Sequence, residues 1–154
     1  MKQFLILVLC TFSVFTNCAS EDKNNSRPGS ISNNTKKPTG SKMKVKIGDH
    51  VFIATLYDNA TSTAFKALLP LTIKMIELNG NEKYYDLPKI LPTSSFRPAK
   101  IQSGDLMIYG SRTLVLFYET FTTSYSYTKL GQIDDASGLA AALGKENITV
   151  TFEE

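Results

Sequence analysis

The chain has 154 residues, enough for one domain and short for two. It holds 17 Lys plus Arg against 14 Asp plus Glu, a net charge of +3, too little for the dense basic face of a nucleic-acid binder. Apolar residues make up 42% and charged residues 20%, a balance that excludes wholesale disorder. Two Cys and one His cannot build a Cys/His zinc cluster, so no metal and no cofactor is expected.

The first segment reads as a targeting signal. Lys2 is followed by an uncharged apolar run from Phe4 to Phe15, shorter than the roughly 20 residues that span a bilayer and long enough for a secretory signal. Phe15-Thr16-Asn17-Cys18-Ala19-Ser20 follows and resembles a bacterial lipobox, in which the signal is cut before a Cys that receives lipid. The reading is a signal peptide over 1–17 and a lipidated Cys18 with a polar tether over 18–42. Cys10 then leaves with the signal and an acylated Cys18 cannot oxidise, so no disulfide is expected. The tether has one large apolar residue, Ile31, and a charge of +3, so it cannot offset the entropy of ordering. Ser20-Glu21-Asp22 resembles the acidic signal that sends some Bacteroidetes lipoproteins to the cell surface. The implied location is the bacterial envelope, lipid-anchored in the outer membrane.

Residues 43–154 read as one folded domain carrying 11 basic and 12 acidic residues. Val45 and Ile47 alternate with Lys44 and Lys46 as a strand, and Gly48-Asp49 turns the chain. His50 to Tyr57 is rich in β-branched and aromatic residues and predicts a long strand in which His50 is a strand residue rather than a ligand. Thr61 or Ser62 is expected to cap a short helix through Ala64–Leu69, with Phe65, Leu68 and Leu69 on one face and Pro70 ending it. Strands follow at 72–78 and 83–87, separated by Asn79-Gly80, a strong hairpin turn. The stretch from Pro88 to Ser103 holds three prolines and predicts a loop. Residues 106–109 and 113–118 flank Gly110-Ser111-Arg112 as a hairpin; the second strand is apolar throughout, so both its faces should be covered. A strand over 125–133 precedes a small helix, Gly138 to Leu143, capped by Asp135-Ala136-Ser137 and closed by Gly144. Residues 147–152 form a last alternating strand. The fold class is mainly β: a closed antiparallel barrel of about eight strands with two short helices, because closure removes unpaired edges.

Several ordered motifs carry a family resemblance: Ala54-Thr55-Leu56-Tyr57-Asp58-Asn59 before a helix ending Leu69-Pro70-Leu71; the run Asn79 to Pro88; Gly104-Asp105-Leu106-Met107-Ile108-Tyr109; Leu114-Val115-Leu116-Phe117-Tyr118; and Leu130-Gly131-Gln132-Ile133. In this order the domain resembles the bacterial cyclophilin-like domain family from about Val45 to Phe152. The resemblance implies a cyclophilin-like barrel more than an activity, since fold does not fix function. Cyclophilin isomerases use an Arg in a Phe-His-Arg motif with a Gln and aromatic residues around a proline pocket, the Arg stabilising the twisted amide. This chain has no Phe-His-Arg, and His50 is followed by Val51. Phe96-Arg97-Pro98 sits in a loop, and only Ile101 to Leu106 looks locally like the segment that carries the Gln. Arg97 and Gln102 are therefore weak catalytic candidates.

The candidates for ligand binding are Phe96, Arg97, Tyr109, Arg112, Tyr118 and Tyr125: loop arginines able to hold a carboxylate or carbonyl, and aromatics able to line a groove at the barrel face. Most of the aromatic set, which also includes Tyr84, Tyr85, Phe117 and Tyr127, belongs in the core or in cross-strand pairs. Asp134-Asp135 reads as helix capping rather than paired-carboxylate chemistry. The favoured function is an envelope-anchored, monomeric, non-catalytic module for a peptide or small ligand. The alternatives are a weak prolyl isomerase acting on envelope proteins and a structural or interaction lipoprotein without a pocket. The only membrane contact expected is through lipid on Cys18, and no nucleic-acid partner is expected.

Overall fold

A computed structural model describes residues 36–154; the expected signal peptide, Cys18 and the expected tether up to residue 35 lie outside the described residues. In chain order the elements are β1 (Lys42–Ile47), β2 (His50–Leu56), α1 (Ala60–Lys66), β3 (Leu71–Leu78), β4 (Glu82–Asp86), β5 (Lys100–Ile101), β6 (Asp105–Tyr109), β7 (Thr113–Phe117), β8 (Phe121–Thr122), β9 (Tyr127–Ile133), α2 (Leu139–Leu143) and β10 (Ile148–Glu153). Eight strands close a barrel in the order β1-β10-β3-β4-β7-β6-β9-β2, every pairing antiparallel. β5 and β8 form a separate two-stranded ladder. The expected closed barrel with two helices is thus the observed architecture.

Alternation sets what the barrel encloses. β1 reads exposed–buried throughout, with Met43, Val45 and Ile47 inward. Ile73 and Met75 from β3, Leu106 and Ile108 from β6, Leu114 and Leu116 from β7, and Val150 and Phe152 from β10 join them in one interior cluster. α1 and α2 add Phe65, Leu139 and Leu143 to it, with the Phe65 ring edge-on to Phe152 at 5.9 Å between centroids.

Local departures from the sequence reading have local causes. The cap of α1 is Asn59, not Thr61 or Ser62: Asn59 is extended, and its Oδ1 accepts from Ser62 N at 2.8 Å. The two hydroxyls tie the helix outward instead, Thr61 donating to Pro92 O and Ser62 to Leu130 O. α2 begins after Gly138, which sits at φ 78 with no side-chain cap. Asp135 accepts from Ser137 N in a turn ahead of the helix. β9 starts at Tyr127 rather than 125, and the proline-rich loop contains the short β5. At the other end of the domain, Gly40 N donates to Leu56 O and Leu56 N to Ser41 O, so the pairing along β2 begins ahead of β1.

A polar plug closes one end of the interior. Lys83, fully buried, ion-pairs with Glu77 and donates to Gly144 O and Glu146 O, each at 2.8 Å. Glu77 also accepts from Tyr118 Oη at 2.8 Å and from Gly80 N at 2.8 Å. Its burial pushes its pKa up, but the bonds from Lys83, Tyr118 and Gly80 and the Lys83 charge outweigh that and hold it below the usual range. Burial, then Glu77, pushes the Tyr118 phenol well up. The β3–β4 hairpin is thereby fastened to the segment between α2 and β10.

Candidate functional site

The outward faces of β4, β7, β6 and β9 are not solvated in the ordinary way. The residues that point away from the barrel include Met107, Val115, Phe117 and Tyr127, and with Ile101 they form a second buried cluster, flanked by Tyr84, Phe96 and Phe121. Phe117 meets Tyr127 edge-on at 5.5 Å and Phe121 at 5.7 Å. The loop after Pro88 and the β5–β8 ladder cover part of this face, which is why an all-apolar β7 is tolerated: Leu114 and Leu116 face in, Val115 and Phe117 face out under cover.

Where the cover ends, a groove of about 560 Å³ opens over the sheet. Its floor comes from β4 (Glu82, Tyr84, Asp86), β7 (Thr113, Val115), Tyr109 of β6 and Tyr127 of β9. One wall is the β3–β4 turn (Leu78, Asn79, Asn81), the other the segment Phe121–Tyr125. Tyr109 is the hub of the rings, 6.1 Å from Tyr125 and 5.7 Å from Tyr127. Tyr109 and Tyr125 are large exposed rings, at 47% and 62% of their area, whereas Tyr127 is buried at 5%.

The groove's charged groups are acidic. Asp86 accepts from the Thr113 hydroxyl at 2.6 Å. Among the described residues, the Glu82 carboxylate has neither an ion pair nor a hydrogen-bond donor. Burial and the nearby charge of Glu77 raise its pKa to about 6. Glu82 in turn acts on Tyr127: burial first, and then the Glu82 charge, raise the Tyr127 phenol. Asn81 Oδ1 is buried and has no donor among the described residues.

A second concavity, of about 640 Å³, lies over β1 and β2 around Val51 and Ile53. Of its three carboxylates, Asp134, Asp135 and Glu154, Asp134 accepts from Lys42 at 2.6 Å and from the Thr55 hydroxyl. Burial raises the Asp134 pKa, but those bonds and the Lys42 charge prevail and hold it below the usual range. Among the described residues, no three His, Cys, Asp or Glu side chains are gathered to hold a metal ion, and no helix is long and apolar enough to cross a membrane.

The residues singled out from sequence are dispersed. Tyr109 and Tyr125 meet in the groove. Phe96 packs on the covered side of the outer cluster and bridges the Tyr127 backbone through two 2.9 Å bonds. Lys129 Nζ lies 5.0 Å from the Phe96 ring and 5.0 Å from the Tyr57 ring. Tyr118 belongs to the polar plug inside the barrel end. Arg97 and Arg112 are exposed loop residues, and Gln102 is exposed in the turn before β6, where its N–H donates to Asp105; none of the three lines the groove. Sequence reasoning missed Glu82 and Asp86. The signal was present: Glu82, Tyr84 and Asp86 are spaced by two, so a strand places them on one face with the outward tyrosines.

Residues 45–153 match the model of a family described as cyclophilin-like. Among solved structures, the chain is similar to the solution structure of a hypothetical protein from Archaeoglobus fulgidus, with a TM-score of 0.51 and 14% sequence identity, over 77% of this chain and 98% of that one. That likeness bears on the fold alone. No curated protein matches the chain.

Proposed function

Since this chain belongs to the cyclophilin-like family, we propose that it is an envelope-anchored lipoprotein whose barrel is a non-catalytic binding module, holding a peptide or small ligand in the tyrosine groove on its outer face. The observation that carries the binding reading is the groove itself. It is concave and lined by four tyrosines and a few polar groups, the usual anatomy of a ligand site. It also favours a ligand module over a structural lipoprotein without a pocket. An isomerase would need an Arg beside the aromatics, and both arginines of the domain, Arg97 and Arg112, lie outside the lining; that favours binding over catalysis. The anchor rests on sequence: an apolar run from Phe4 to Phe15 that ends in a polar stretch containing Cys18.

Two experiments test the halves separately. Labelled palmitate fed to cells expressing the chain is incorporated, and Cys18→Ala abolishes incorporation; labelling that survives the substitution removes the anchor. A thermal-shift screen of peptides and small molecules finds ligands that raise the melting temperature, as mass action requires, and Tyr109→Ala removes that rise. A ligand whose effect survives Tyr109→Ala sits elsewhere and removes the groove.

A further inference from the structure

We propose that the ligand of the tyrosine groove presents an alkylammonium head group, held by Glu82 in a groove lined by tyrosine rings. The inference rests on the binding reading above and names the chemistry of the ligand. Three observations on the page converge on it. The first is the sign of the charge. The lining contains two carboxylates, Glu82 and Asp86, and no Lys, Arg or His. An anionic ligand would meet like charge at short range in a partly desolvated site, where repulsion is strongest. The second is that one of these carboxylates, Glu82, is half-buried with no partner at all among the described residues. Asp86 is engaged by Thr113 at 2.6 Å, whereas Glu82 has no partner among the described residues. A half-buried carboxylate without a partner is costly. A neutral ligand would cover it and deepen the cost, while a cationic one turns it into a charge-assisted pair.

The third observation is the rings. Tyr84, Tyr109, Tyr125 and Tyr127 all line the groove, and Tyr109 contacts two of the others. Aromatic faces attract a cation that has been stripped of water. A half-buried carboxylate in a groove that tyrosines line suits a compact ammonium, whose charge is a point rather than a planar fork. A lysine side chain of a peptide and a free amine share this chemistry, and the experiment separates them.

The chain has no Trp, and four of its seven tyrosines line the groove, so tyrosine fluorescence of the full-length protein follows binding there, with Tyr125→Ala as the control that assigns the signal. The probes are N-acetyl-lysine N-methylamide, the same compound with norleucine as an uncharged match, and pentylammonium. Capped lysine binds with a Kd at least tenfold lower than capped norleucine. Glu82→Gln removes at least tenfold of the lysine affinity and leaves the norleucine affinity within twofold, whereas Tyr125→Ala weakens both. Pentylammonium binding as tightly as capped lysine assigns the head group to a free amine. Binding at least tenfold weaker assigns it to a peptide; either result supports the inference. The comparison of lysine with norleucine on the unaltered protein does not depend on any variant folding. Norleucine binding as well as lysine, or lysine affinity that survives Glu82→Gln, overturns the ammonium assignment and leaves the groove as a ligand site. Failure of every probe to bind overturns both.

Discussion

The barrel holds two apolar clusters separated by one sheet, and they are built by different rules. Inside, alternate residues of all eight barrel strands meet in a closed volume, and Val45, Leu56, Phe65, Met75, Leu114 and Phe152 are each at most 1% exposed. Outside, on β4, β7, β6 and β9, a smaller cluster centred on Phe117 and Tyr127 is covered by loops on one side and left open on the other. The interior is mostly aliphatic and is complete in itself. The exterior one is rich in rings, carries tyrosine hydroxyls and a free carboxylate at its margin, and stops short of covering Tyr109 and Tyr125. The lesson is that apolar residues on the outward face of a closed barrel have no folding role to explain them fully. The uncovered remainder, Tyr109 and Tyr125, is the part that the proposed ligand would cover.

The contrast can be broken or sharpened by substitution, beginning where the largest loss is expected. Phe152→Ala empties a ring-sized space against Phe65 and lowers the unfolding free energy by about 3–5 kcal/mol in urea denaturation; a loss below about 1 kcal/mol would mean that the interior is not the stabilising cluster. Gly131→Ala strikes the β9–β2 seam, where an added Cβ would lie 2.9 Å from Thr55 O and 2.9 Å from Leu56 Cδ2. The backbone oxygen cannot swing away, so the cost is about 2 kcal/mol, read as a lower urea midpoint with an unchanged slope.

Glu82→Gln has the opposite sign. The folded-state pKa of Glu82, about 6, lies above the unfolded value of roughly 4.3. Between these two values the folded form binds more protons, so this residue's contribution falls as pH rises through the window and stays low above it. The substitution therefore stabilises the protein at pH 7, by about 1 kcal/mol once solvent screening is allowed for, and flattens that part of the profile. A destabilised variant at pH 7 would show that Glu82 already has a partner. The smallest effect is Tyr125→Ala, within about 0.5 kcal/mol of the parent because the ring is mostly in water, although ligand affinity drops. Stability and binding thus separate on the outer face and coincide in the interior.

How much of this was legible follows from the same contrast. Strand alternation in Met43-Lys44-Val45-Lys46-Ile47 and in Thr149-Val150-Thr151-Phe152 states which side chains turn inward, and the barrel follows once eight such strands must hide their edges. The start of α1 was not legible, because Asn59, Thr61 and Ser62 are all competent caps. The choice is made by distant acceptors, Pro92 O and Leu130 O, that take the two hydroxyls. Tyr118 and Tyr109 both look like groove residues in the sequence. What separates them is that Glu77 waits at the barrel end for one hydroxyl, a contact 41 residues apart in the chain. Tyr109 and Tyr125 were identifiable as aromatic candidates, but Glu82 was not, since its significance depends on the absence of a neighbouring cation that only the assembled sheet reveals.

Lys83 carries a consequence for chemistry performed on the whole molecule. Its amine is out of reach of water and saturated by Glu77, Gly144 O and Glu146 O. Acylating reagents that tag surface amines such as those of Lys42 and Lys46 should spare this one until the cylinder comes apart. Mass spectrometry of a peptide containing Lys83 then counts, molecule by molecule, how often the native form has opened.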